Sequence, residues 1–207
     1  MTSAVSIDPT RSARPSRPAW QTRGGGGVLL AGALLFVATL IEHAYWSGDA
    51  SSGLLLALFC VAFVACLVVY PIAMVAAVRG HGIVGDSAVG RVALPAFGVL
   101  FGLNQGLYLL TEYVWQVEPS VLAAEIGLGA LGLLQLGAAL VGAVVVARAG
   151  VARGVARWIL LPVLAVSTAC IAVVEGSSSL NVVTTAHVVS TLGQMAVGLA
   201  YLTAPRD

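Results

Sequence analysis

Apolar runs long enough to cross a bilayer recur along this chain, and the polar residues inside them keep helical spacing. A bilayer core is crossed by about 20 predominantly apolar residues. Six segments reach that length: Val28–Trp46, Gly53–Val78, a third starting near Val92, Val121–Val146, Trp158–Glu175 and Leu180–Leu202. Pro71 is expected to kink the second. Pro95 is expected in the first turn of the third, where its missing N–H costs little. The predicted fold is all-α: a polytopic membrane bundle of six transmembrane helices arranged as three hairpins.

The third segment is the most informative. From Gly98 to Trp115 it reads GVLFGLNQGLYLLTEYVW, and at about 100° per residue it divides into three faces. Gly98, Gly102 and Gly106 form a small-residue strip that lets another membrane helix come close. That strip is a surface for a second copy of the chain or for a partner membrane subunit. Val99, Leu103, Leu107, Leu110 and Val114 form a wholly apolar face suited to lipid. Asn104, Tyr108, Thr111, Glu112 and Trp115 form a polar face, with Gln105 on its edge. A polar stripe on a membrane helix points into a bundle or a wet cavity. The last segment carries a similar stripe, Thr184, His187, Thr191, Gln194, Gly198 and Tyr201, with Ser190 beside it.

Arginine sets the expected orientation. All ten basic residues are Arg. They occupy the N-terminal segment, the loops 79–91 and 148–157, and the C-terminal end, while the alternate loops hold none. By the positive-inside rule both termini are cytoplasmic and the chain sits in the plasma membrane. Residues 1–26, with three prolines, four arginines and the run Gly24–Gly27, read as a disordered cytoplasmic tail. Residues 27–203 then form the six-helix membrane domain, and 204–207 the cytoplasmic end.

Composition agrees with the pattern. Only 9% of residues are charged, against about 25% in soluble domains. A net charge of +1 gives no reason to expect nucleic acid as a partner. The bilayer is the expected environment. The three cysteines, Cys60, Cys66 and Cys170, lie in apolar spans without CxxC or flanking His, so neither a disulfide framework nor a zinc site is expected.

The acids sit opposite the arginines. Glu42, Glu112, Glu118, Glu125 and Glu175 all fall near the expected outer boundary, with Asp49. A solvated rim explains them blandly. A shared outward vestibule explains them functionally, since ionisable groups within a span mark function by default. His43 and His187 fall at similar depth on the first and last spans, which become neighbours if the helices close into a ring. They are candidate axial ligands for a b-type haem, or candidate metal ligands beside Glu42, Glu112 and Glu125. Neither helix has paired-His spacing, so a hydrogen-bonded role for each His competes with both.

No P-loop, dinucleotide-binding glycine pattern, GxSxG or paired-aspartate motif occurs, so phosphoryl or lipid-phosphate chemistry on the inner face is not expected. The first reading is a small transporter or substrate-capturing subunit. Its outward-facing site would be lined by Asn104, Gln105, Tyr108, Glu112, His187, Thr191 and Gln194, and Glu42 and Glu125 would set a preference for cations or protons. The competing readings are a non-catalytic accessory subunit of a larger membrane complex and a haem-bearing membrane anchor.

Overall fold

The computed structural model describes residues 18–48, 53–80, 82–115 and 121–205, without the side chains of residues 115 and 121–126. The regular structure among the described residues is entirely helical. Helix α1 (Gly26–Trp46) follows directly on a π-helical turn, Trp20–Gly25. Then come α2 (Gly53–Val78) and α3 (Ala88–Leu109), the latter running on into a second π turn, Leu110–Trp115. The chain continues through α4 (Val121–Ala149), the single turn α5 (Val155–Trp158), α6 (Leu160–Glu175) and α7 (Leu180–Leu202). Five helices among the described residues are long and apolar enough to cross a membrane: Trp20–Trp46, Gly53–Val78, Ala88–Val114, Gly127–Ala149 and Leu180–Leu202.

The expected fifth span is the exception, because α6 has only 16 residues. Its shortness has a local cause. Pro162 has no N–H to give to Trp158, which breaks the helical ladder there. The backbone still holds helical angles through Ile159 (φ −58°, ψ −31°), so α5 and α6 follow one another as an interrupted helix.

α1 packs between α2 and α7, α2 between α1 and α3, and α3 between α2 and α4. α7 packs on α6, and α6 meets α4 more sparsely. The order α4–α3–α2–α1–α7–α6 is thus a ring, with its loosest seam between α4 and α6. α6 has no buried residue. Along α4, a Cβ added at Gly127, Gly129, Gly132 or Gly137 would meet nothing within 4 Å. The tight half of the ring is α1, α2 and α7, where Ala31, Ala38, Cys66, Ala77 and Val197 are buried.

Two sequence expectations change here. The tail was expected to reach residue 26, yet helix begins at Trp20, and both Trp20 and Gln21 are buried. The Trp20 ring stands edge-on to Tyr201 at 6.2 Å, and the Gln21 side-chain amide donates to the Ala204 carbonyl at 3.1 Å. The Gly24–Gly27 run is a packing surface. A Cβ on Gly24 would lie 2.9 Å from Ala77 Cα, and one on Gly27 only 2.6 Å from Ala73 Cβ. Second, α3 starts at Ala88, earlier than expected, because Ser87 caps it by accepting from the Gly90 N–H at 3.1 Å. Pro95 therefore lies inside the helix, beyond its first turn.

The connection between α2 and α3 is packed. Ile83 and Val84 of the α2–α3 connection are fully buried. Arg91 donates to the Gly85 carbonyl and pairs with Asp86, and Arg157 donates to the Ala147 carbonyl at 2.7 Å.

Candidate polar site at the acidic end

The geometry around Glu42 starts from the end of α3. An α-helix turns about 100° per residue, so residues five apart point about 140° away from one another. A π-helix, bonded i to i+5, brings such residues back onto one side. Tyr108 and Tyr113 are five apart across the start of the Leu110–Trp115 π turn, and their hydroxyls converge. Each donates to Oε1 of Glu42 on α1, both at 2.6 Å. The indole N–H of Trp46, one α-helical turn beyond Glu42, donates to the Tyr113 oxygen at 3.0 Å. Two rings of α2 back this arrangement: Phe59 lies 5.0 Å from the Tyr113 ring and Phe63 6.3 Å from that of Tyr108. Both phenylalanines are buried, so the tyrosine rings rest on a packed floor with their hydroxyls directed at α1.

α7 supplies the opposite wall. His43 Nδ1 and Thr184 Oγ1 share a hydrogen bond of 2.9 Å. Between α1, α3 and α7 lies a recess of about 210 Å³, whose lining includes Glu42, His43, Trp46, Tyr108, Thr184 and His187. The expected neighbourhood of first and last spans holds, and the two histidines share one small space. Ligand and cofactor pockets usually run to about 300–1,000 Å³. The recess therefore suits a solute of few atoms and is undersized for a haem between His43 and His187. Among the described residues no three His, Cys, Asp or Glu side chains group to hold a metal ion.

The other sequence candidates disperse. Asn104 turns towards α4, where its amide donates to Gln135 Oε1 at a long 3.4 Å and its own Oδ1 is buried without a partner. Gln194 Oε1 is likewise buried and unpartnered. Thr191 is buried, its hydroxyl bonded to the Val188 carbonyl of its own helix. Gln105 is half-buried and Glu112 exposed, and neither lines the recess. The Glu125 side chain, Glu118, Asp49 and His81 lie outside the described residues. Glu42 is thus the only acid among those lining the recess, and the expected convergence of carboxylates does not extend to Glu112. The glycine strip is taken by the chain's own α2. A Cβ on Gly98 would meet Pro71 Cα at 2.9 Å, while Gly102 and Gly106 lie over Leu67.

Tyr113 and Trp46 are the residues that helical periodicity passes over. Straight α geometry turns Tyr113 away from Tyr108, and a boundary Trp reads as part of an interfacial aromatic belt. No family model, curated protein or solved structure matches the chain.

Proposed function

We propose that the chain is a six-span protein of the plasma membrane with both termini cytoplasmic, and that it is a small transporter or substrate-capturing subunit. Its site is the recess between the outer ends of α1, α3 and α7. The topology is supported by the confinement of arginine to one set of loops and by the helical backbone that joins α5 to α6. One observation carries the functional reading. Glu42, within a membrane helix, is held by two tyrosine hydroxyls at the rim of a small cavity that also presents two histidines. Ionisable groups within a membrane span are costly and mark function by default.

The test is uptake. Proteoliposomes carrying the full chain are incubated with a mixed pool of small solutes, and their contents are read by mass spectrometry. Wild-type vesicles are expected to accumulate a solute that Glu42→Gln vesicles do not. Equal uptake by both overturns the reading, and uptake by neither overturns its transporter form.

An accessory-subunit reading is favoured by a different observation, the unoccupied glycine-bearing length of α4 beside α6, where no residue is buried. Under that reading, Gly132→Leu disrupts co-purification of a membrane partner. A protein that purifies alone before and after the change contradicts it.

A further inference from the structure

We propose that the recess takes a small organic cation, a protonated amine of a few heavy atoms, with Glu42 as its counter-charge and the Trp46 and Tyr108 rings as its walls. This inference rests on the reading of the recess as a ligand site and adds the chemical class of the ligand.

The first observation is the set of donors that faces Glu42. Hydrogen bonds from hydroxyls to an ionised oxygen run about 2.5–2.7 Å, shorter than the neutral kind. Both tyrosine bonds to Oε1 are 2.6 Å. Every donor in the network faces the acid: Trp46 donates to Tyr113, and Tyr113 and Tyr108 donate to Glu42. Neutral donors set in this way would solvate a carboxylate.

The second observation is that, among the described residues, no Arg or His forms an ion pair with Glu42, although His187 lies close enough to feel its charge. The Arg91–Asp86 ion pair lies at the opposite ends of the helices. Neither His43 nor His187 comes within ion-pair distance of Glu42, and His43 Nδ1 is engaged by Thr184. A carboxylate in a membrane span without a counter-charge is expensive, and a bound cation would relieve it.

The third is the nature of the walls. Hard metal ions ask for six or more oxygen ligands, whereas the oxygen donors of this recess are one carboxylate, two threonine hydroxyls and Tyr108, and its two histidines complete no metal-holding group among the described residues. An indole and a phenol ring beside a carboxylate, with Leu180 and Val183 opposite, instead suit an ammonium group bearing a short apolar portion. Aromatic faces attract such cations, Trp most strongly.

The experiment is a thermal melt of the purified full-length protein in uncharged detergent. The probes are methylammonium, ethylammonium and tetramethylammonium chlorides, compared with potassium chloride, zinc chloride, potassium acetate and the neutral solutes ethanol and acetamide. A ligand that binds only the folded form raises the melting temperature. The alkylammonium salts are expected to give a saturable rise above the potassium chloride control. That rise is lost in Glu42→Gln and needs about tenfold more ligand in Trp46→Leu. If Glu42→Gln does not fold, Trp46→Leu and Thr184→Val carry the same comparison. A Glu42-dependent rise with acetate, a neutral solute or zinc leaves the ligand site standing and overturns the cation class. An ammonium rise undiminished in all these variants, or no rise with any probe, overturns the proposal. In the last case uptake of an uncharged solute in the vesicle experiment would still uphold the site itself.

Discussion

Tyr108 and Tyr113 stand edge-on to one another, ring centroids 6.3 Å apart, although five residues separate them on a helix that begins as α. The π turn between them reconciles the two facts, and its consequence is a carboxylate oxygen that receives two phenolic protons. π turns inside α-helices occur frequently at functional sites. This one builds the rim of the recess.

The two tyrosines should therefore matter through Glu42. Hydrogen bonds to charged groups contribute about 1.5–3 kcal/mol, roughly twice the neutral value. Tyr108→Phe is expected to lower stability by about that amount, measured by denaturant unfolding in micelles. In a Glu42→Gln background the same substitution should cost about half as much. An equal cost in both backgrounds would mean that the hydroxyl acts elsewhere.

The π turn makes its own prediction. Deleting Leu110 places the two tyrosines four apart, the same-face spacing of an ordinary α-helix, and should preserve both bonds to Glu42. Inserting one alanine at that point sets them six apart and should turn Tyr113 away, with a stability loss matching that of Tyr113→Phe. Unfolding midpoints of the three variants decide it.

The glycine run offers a comparison within four residues. Gly24→Ala forces a methyl against Ala77 Cα at 2.9 Å, while Gly26→Ala meets its nearest neighbour, Leu202 Cδ2, at 3.9 Å. Overpacking costs about 1–3 kcal/mol. Surface changes away from such contacts stay within about 0.5 kcal/mol. Melting temperature should fall for Gly24→Ala and hold or rise slightly for Gly26→Ala, since alanine also favours helix.

Trp20 tests where the membrane domain begins. Replacing a buried aromatic by alanine costs about 3–5 kcal/mol, and Trp20 is only 5% exposed, against Tyr201. Trp20→Ala should therefore lower the melting temperature by many degrees. An unchanged melt would return residues 18–25 to the tail.

Much of this arrangement was legible in the residue pattern, because apolar length and 3.6-residue periodicity follow from elementary helix geometry. The lipid face of α3 is an example: Val99, Leu103 and Val114 are all about half exposed or more. The neighbourhood of first and last helices was legible too, although it set His43 beside His187 and the structure bonds it to Thr184. The inner half of the α7 stripe proved to be packing. Gly198 lies against Leu29, and Thr191 bonds its own helix.

What periodicity missed has two physical causes. Tyr113 lies beyond a local change of helical pitch, and nothing in LTEYVW announces that change. The Gly24–Gly27 run resembles a flexible linker because the absence of a Cβ serves two opposite ends. It frees a solvated chain, and it lets backbones touch in a packed one. Which applies depends on Ala73, Ala77 and Tyr201, residues far away in sequence.

The claim on which the rest depends is that Glu42 is a carboxylate held in the membrane by neutral donors. Infrared difference spectroscopy of wild type against Glu42→Gln at neutral pH addresses it directly. The account predicts that the substitution removes an antisymmetric carboxylate band and shifts the tyrosine C–O bands. Loss of a protonated carboxyl C=O band instead would show a neutral Glu42, and the charge-based reading of the recess would fall with it.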